Sequence, residues 1–315
     1  MKEIKKAKTI YELPILWDKE QIKKTLKRQF PDFILDKVEL QPSKVCQLSC
    51  PWCWGKNLIP AMKYRSEVPL ETYKQNVLEP IYKIKPSIMI AGLYSEPLLY
   101  SQFTELIALV NKMGFRFGLY TNGLTLNKEL IEIILYKSHP YSYISLDFSA
   151  SKYAGVDIYE KIKMLVKIRN KYNPTLQINI PMFFLWEIQE LKKIEKKLLN
   201  IGVDSIRYRK TTTPYYSYKE LMGTDKVYFN IKPFNRCCVL LNSVSIAPDG
   251  YVYPCSYTSS LEFFEFNLGS ILKENIIDIW KKRQKFWFNF DPSREVCECN
   301  YYDNEWNRYC HHLRN

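Results

Sequence analysis

Between Lys37 and Lys210 the apolar positions switch repeatedly between two periods. Short β-branched and aromatic runs, "KVELQPS" (centred on 38–43), "SIMIAG" (87–92), "FRFGLYT" (115–121), "YSYISLD" (141–147), "LQINIPM" (176–182) and "DSIRYRK" (204–210), read as strands. The stretches between them, "TYKQNVLEPIYKI", "FTELIALVNKM", "KELIEIILY", "YEKIKMLVKIRNKY" and "EIQELKKIEKKLLN", carry the helical period. Strands alternating with helices of this length predict βαβ units and a parallel sheet. Six units over this span average about 29 residues, near the ~30 of a βαβ unit. The chain is therefore expected to be an α/β protein built on a partial (β/α)6 TIM-like barrel. In such folds ligands sit beyond the carboxyl ends of the strands. The loops of unusual composition, the cysteine loop, "GLYSEP", "TNG" and "SLDFSAS", all follow strands and are expected to face one site.

After residue 210 the pattern changes. "TTTPYYSYKELMGTDK" is turn-rich, "SVSIAPDGYVYP" alternates with period two about Asp249-Gly250 and predicts a hairpin, and "ENIIDIWKKRQKFW" predicts one amphipathic helix. Six of the nine cysteines, at 237, 238, 255, 297, 299 and 310, fall in this stretch. A small cysteine-rich module of a β-hairpin and a helix has little regular structure to hold it and commonly needs metal staples. Three regions are expected: a basic helical extension over 1–37, the barrel over 38–210 and the small module over 211–315.

Composition narrows the class. The 315 residues are 46% apolar and 15% aromatic, enough for a full-sized core, which excludes disorder as the main theme. The opening "MKEIKKAKTIYELPILW" has no apolar run of signal-peptide length, and the longest apolar stretch, "IPMFFLW" at 180–186, is too short to span a bilayer. No membrane partner and a cytoplasmic location are expected. There, clustered thiols are more often metal ligands or catalysts than disulfides, and an odd number leaves at least one unpaired. The net charge of +13 gathers partly in "KKTLKRQF" (23–30) and "WKKRQKFWF" (280–288), which read as solvated basic helix faces, with nucleic acid as the second partner class.

Three cysteines fall in one loop, Cys46-x3-Cys50-x2-Cys53 in "VCQLSCPWCWGKN", directly after the first strand. Iron–sulfur clusters ordinarily take four cysteines. Three leave one position open, as a reactive metal site requires, whereas a zinc knuckle wants a fourth ligand and no His or further Cys occurs before His139. In this position the motif resembles that of the radical S-adenosylmethionine superfamily. The resemblance implies that Cys46, Cys50 and Cys53 hold a 4Fe-4S cluster whose open iron binds S-adenosylmethionine, with Trp52 near the adenine. "AGLYSEPLL" (91–99) resembles the family's Gly-Gly-Glu-Pro loop at the methionine amino group, with Gly92, Ser95 and Glu96 at the contact positions; Tyr94 and Ser95 stand where small glycines are usual. "LYTNGLTL" and "YISLDFS" resemble the third and fourth strand ends. Ser145, Asp147 and Asn179 are the polar candidates for cofactor or substrate, with ordinary loop and capping polarity as the alternative. This resemblance spans about residues 38–210.

The tail resembles the twitch or SPASM auxiliary-cluster extension of the same superfamily. Six cysteines are too few for two clusters at four each, so one auxiliary 4Fe-4S cluster held by Cys238, Cys255, Cys297 and Cys310 is implied, with Cys237 and Cys299 interchangeable with their neighbours and zinc as the alternative metal. A spare thiol, Cys237 or Cys299, is the candidate hydrogen-atom donor. The resemblance further implies reductive cleavage of S-adenosylmethionine to a 5′-deoxyadenosyl radical and hydrogen abstraction from a peptide or small metabolite, for oxidation, cross-linking or epimerisation. Flavodoxin or ferredoxin is the implied electron donor. RNA or nucleotide modification is the rival enzyme class, and a non-catalytic iron–sulfur or zinc protein the rival of another class. The stretch before strand one is too short for a peptide-recognition winged helix, so a leader-binding unit is expected on a separate protein or not at all.

Overall fold

The computed structural model describes residues 35–50, 53, 67–92, 95–183, 188–209, 243–254 and 267–289. Trp52, the extension over 1–34 and the tail cysteines at 237, 238, 255, 297, 299 and 310 lie outside them.

All six predicted strands form: β1 (Lys37–Leu40), β2 (Ser87–Ile90), β3 (Phe117–Thr121), β4 (Tyr143–Leu146), β5 (Gln177–Phe183) and β6 (Ser205–Arg209). The helices are α1 (Leu70–Tyr73, continued by a π-helical segment Lys74–Leu78), α2 (Phe103–Lys112), α3 (Lys128–Leu135), α4 (Ser149–Ala154), α5 (Tyr159–Tyr172) and α6 (Ile188–Asn200). Two of these depart from the sequence expectation. Regular helix does not run through "EPIYKI", because Pro80 lacks the N–H that a continuing helix needs; the Glu79 N–H instead reaches back to the Lys74 carbonyl at 2.9 Å. The "SLDFSAS" segment is not wholly loop. Its second half is α4, entered by an Asx turn in which Asp147 Oδ1 accepts the Ser149 N–H at 2.9 Å.

The predicted hairpin is β7 (Ser243–Ile246) and β8 (Tyr251–Tyr253), followed by a short β9 (Gly269–Ser270) and α7 (Ile276–Asn289). Gly250, at φ +84°, takes the turn position that a side chain would strain. This hairpin continues the barrel sheet. The strand order is β6-β5-β4-β3-β2-β1-β7-β8-β9, with β7 parallel to β1 (Lys37 against Ser243, Leu40 against Ile246) and β8 and β9 antiparallel.

The order explains the shape. Each crossover from β1 to β6 moves one strand in the same direction, and right-handed crossovers then put every helix on one face. That face is apolar: Val38, Leu40, Ile88, Ile90, Phe117, Leu119, Ile144, Leu146, Ile178 and Ile180 are fully buried against the helices. The alternate residues face the concave side of an open barrel. Pairing aligns Ser245, Glu39, Met89, Gly118, Tyr143 and Gln177 in one row, and Tyr120, Ser145, Asn179 and Ser205 in the next. A parallel barrel interior is ordinarily filled by branched apolar side chains. Here most of the side chains in these rows are polar, Glu39, Gln177, Asn179 and the hydroxyls of Ser245, Tyr143, Tyr120, Ser145 and Ser205, so this face was not built to pack on itself. Among the described residues no helix is long and apolar enough to cross a membrane.

Candidate functional site

The cysteine loop leaves the carboxyl end of β1 and is shaped by backbone contacts before it reaches a thiol. The Ser43 hydroxyl donates to the Val45 carbonyl at 3.1 Å and accepts its N–H at 3.2 Å. The same carbonyl accepts the Glu96 N–H at 2.8 Å, which ties this loop to the one after β2. Cys46, Cys50 and Cys53 follow as half-buried thiols outside any disulfide, with the Cys53 N–H closing a turn on the Cys50 carbonyl at 2.9 Å. Cys46 Sγ accepts the Leu48 N–H at 3.4 Å and lies 3.9 Å from Asn122 Nδ2.

Glu96 is the joint of the site. It is 2% exposed, and its carboxylate accepts the Thr121 hydroxyl at 2.6 Å, the Asn122 N–H at 2.8 Å and the Leu98 N–H at 3.2 Å. It thus clamps the loop after β2 to the "TNG" loop after β3, and its oxygens are largely engaged within the protein. Burial pushes its carboxyl up to about 7 against these bonds, with Asp147 adding to the rise. Gly92 has no room for a side chain, since a Cβ there would stand 1.9 Å from the Ser95 carbonyl oxygen. Only glycine at 92 permits so close an approach to Ser95.

The other polar candidates come together on the concave side. Ser145 and Asn179 are paired in register on β4 and β5 and are 4% and 3% exposed. Asn179 Oδ1 accepts the Ser205 hydroxyl at 2.6 Å. Asp147 sits one residue beyond β4, with its N–H on the Thr121 carbonyl at 2.9 Å, close enough to Cys50 to raise that thiol. Several residues of the same surface escaped the sequence reading. Thr121 and Asn122 are the partners of Glu96, and the "TNG" signature was their only signal. Tyr120 and Tyr143 join hydroxyls at 3.0 Å, their rings crossed edge-on, where Gly118 leaves space for the Tyr143 ring. Gln41 donates to Ser245 Oγ at 2.9 Å and so links β1 to the hairpin. No local pattern announces these cross-strand pairs.

The electrostatics bear on what this end of the barrel can hold. Burial pushes Cys50 up to about 12, and the charges of Asp147, Cys53 and Cys46 push the same way. Cys46 is raised by burial first, with Glu96 and Cys53 contributing. Among the described residues the charged groups acting on these two thiols are Glu96, Asp147 and the neighbouring cysteines. Three soft sulfur donors beside two carboxylates, half out of water, lose their protons most readily to a bound metal, and the donor set suits iron–sulfur chemistry or zinc. Among the described residues no three His, Cys, Asp or Glu side chains are gathered as one metal ion requires. A cluster does not require it, since each thiolate takes its own iron.

Comparisons with known proteins agree. The family model of the Radical SAM superfamily matches residues 40–154, and that of SPASM, an iron–sulfur cluster-binding domain, matches residues 237–310. A protein of Pyrococcus furiosus described as a tungsten-containing aldehyde ferredoxin oxidoreductase cofactor-modifying protein is 24% identical over 245 residues, 63% of this chain and 68% of that protein. SuiB of Streptococcus suis shares the fold. Its structure with S-adenosylmethionine matches at a TM-score of 0.57 and 16% identity over 79% of this chain and 64% of SuiB. Its structure with the precursor peptide SuiA matches at 0.59 and 16% over 79% and 65%. The chain thus spans less than two thirds of the length of SuiB. Both domain types work with iron–sulfur clusters, a 4Fe-4S cluster with S-adenosylmethionine in the first and an auxiliary cluster in the second. The chain thus carries a Radical SAM domain over residues 40–154, which holds the thiol loop and the Glu96 clamp, and a SPASM domain over residues 237–310.

Proposed function

We propose that the protein cleaves S-adenosylmethionine reductively and abstracts a hydrogen atom from a peptide or small metabolite, oxidising, cross-linking or epimerising it. The observation that carries this is the group of three half-buried thiols at the carboxyl end of β1, in a loop tied to that of Glu96 through the Val45 carbonyl. Cys46, Cys50 and Cys53 would hold a 4Fe-4S cluster there, which would supply the electron for reductive cleavage of S-adenosylmethionine to methionine and a 5′-deoxyadenosyl radical. Glu96 fixes the loop from Gly92 to Ser95 against the thiol loop, so that the methionyl end meets a set backbone. Ser145 and Asn179, with Asp147 above them, supply polar contacts to the nucleoside or the substrate, Trp52 stacks near the adenine, and the concave face keeps bulk water from the reacting atoms. The second cluster belongs to Cys238, Cys255, Cys297 and Cys310, with Cys237 or Cys299 as a spare thiol. The barrel spans 38–210 and the auxiliary domain 211–315, and the protein works in the cytoplasm with flavodoxin or ferredoxin as electron donor.

For the substrate class, the relative named for cofactor modification supports a small molecule, and SuiB, solved with a precursor peptide, supports a peptide. Anaerobic reconstitution tests the reading. The wild-type protein with dithionite releases 5′-deoxyadenosine, and Cys50→Ala abolishes this while keeping the iron of the tail. Equal turnover in that variant would overturn the proposal.

A further inference from the structure

The end of the barrel remote from the thiols carries its own chemistry. Five of the large apolar side chains most exposed among the described residues lie in the loops entering β2, β4 and β5: Tyr82 (49%), Ile84 (44%), Tyr136 (59%), Tyr141 (69%) and Tyr172 (43%). Cations are interleaved with them. Lys85 Nζ lies 3.8 Å from the Tyr82 ring centre and 4.8 Å from that of Phe115, Lys137 Nζ lies 5.2 Å from the Tyr136 ring and Lys171 Nζ 5.0 Å from the Tyr172 ring. The loops form one continuous band. Lys85 donates to the Met113 carbonyl, the His139 ring lies 5.8 Å from that of Tyr141, and Asn173 Nδ2 donates to the Ser138 hydroxyl at 2.7 Å.

Two features go beyond a solvated basic face. The cations are not neutralised: among the described residues Lys85, Arg116, Lys137 and Lys171 form no ion pair, and Arg116 keeps a buried Nε–H without an acceptor. His139 is lowered by burial and then by the charges of Arg116 and Lys85, as a locally positive field requires. Secondly, Lys85 (φ 54°) and Lys137 (φ 53°) are the two non-glycine residues of positive φ among the described residues. Glycine or asparagine holds such turn-closing positions at less cost, and lysine stands at both.

Unneutralised cations alternating with exposed rings favour a polyanion that also offers flat apolar faces. The geometry points to this band as a binding surface for single-stranded RNA, with phosphates on Lys85, Arg116, Lys137 and Lys171 and a base on Tyr141, among the described residues the most exposed ring and one over which no lysine ammonium lies. From β2 to β5 the band crosses four neighbouring strands, about 15 Å at ~4.8 Å each, the reach of a few nucleotides. Because it opposes the thiol loop across the barrel, such binding tethers the protein and does not present a base to the radical site.

Fluorescence anisotropy of a labelled mixed-sequence RNA of about twelve nucleotides, with the full reconstituted chain in about 50 to about 200 mM KCl, tests this. The wild type is expected to bind with affinity falling linearly in log salt. Lys137→Glu with Lys171→Glu should weaken binding at least about tenfold and reduce the salt slope by about 2. Tyr141→Ala should cost about tenfold at unchanged slope, the worth of one stacked base. Release of 5′-deoxyadenosine should be unchanged in both. The inference is overturned by a wild type that does not bind in about 50 mM KCl, or by variants that bind as the wild type does, which would send the RNA to another basic segment. It is equally overturned if poly-glutamate of matched charge displaces the RNA and Tyr141→Ala has no effect, which would mark an acidic protein as the partner.

Discussion

The two faces of the barrel sheet use adjacent residues of the same strands for different ends. On β5, Ile178 and Ile180 are fully buried under the helices, while Asn179 between them faces the concave side and accepts a hydrogen bond from Ser205. On β4, Ile144 and Leu146 flank Ser145 in the same way. The helix side is apolar and serves stability. The concave side buries polar groups that gain little for stability and are retained for what they touch.

Substitutions can break that division. Ile180→Ala on the helix side should cost about 2–5 kcal/mol, read as a lowered midpoint in denaturant with an unchanged slope. Its neighbour Asn179→Ala should cost only about 1 kcal/mol, from the orphaned Ser205 hydroxyl, and affect S-adenosylmethionine binding more than folding. Equal destabilisation of the two would end the comparison. Glu96→Ala should cost about 2–3 kcal/mol, since it strands the Thr121 hydroxyl and the Asn122 N–H, and should also lower cofactor affinity by loosening both loops. Full stability together with weakened cofactor binding would instead mean that the carboxylate touches the ligand directly.

The comparison sharpens at the entrance to β1. Asp36 has a buried oxygen without a partner, and burial raises its carboxyl to about 7. The folded state keeps a proton that the unfolded chain releases near 3.8, so this group's contribution is present at low pH, falls as pH rises from about 4 to about 7 and is level above. Asp36→Asn should remove the fall and raise stability at pH 8 by about 1 kcal/mol, discounted for a site only partly buried. Denaturant titrations at pH 4 and pH 8 check it, and a gain equal at both would refute the assignment. The smallest effect belongs to Ser145→Ala. Its hydroxyl makes no hydrogen bond among the described residues, so stability should move by less than about 0.5 kcal/mol while any change appears in cofactor or substrate affinity.

What could be read before folding was local. The six strands, the helix starting at Tyr159 and the Asp249-Gly250 turn follow from periodicity and turn chemistry; Cys46, Cys50 and Cys53 stand out by their spacing after a strand, and Glu96 by the resemblance of its loop to that of a known family. What could not be read depends on residues distant in sequence. The pairing of β7 with β1 has no local signature, because Ser243–Ile246 would suit either edge of any sheet. Glu96 gives no sign in sequence that its carboxylate is met by the Thr121 hydroxyl and the Asn122 N–H. The Tyr82, Lys85 and Tyr141 band is assembled from four separate turns, each unexceptional alone.

The place of β7 beside β1 also sets an order of events on the ribosome. β1 is the first barrel strand to be made, yet the neighbour that covers its outer edge, Ser243–Ile246, emerges about two hundred residues later. At about 5–20 residues per second that is some 10–40 s during which a row of unpaired amides and carbonyls stands beside the newly made thiol loop. The nascent barrel must therefore wait with one seam open, and a chain interrupted before residue 243 would keep that seam as a template for pairing with other chains.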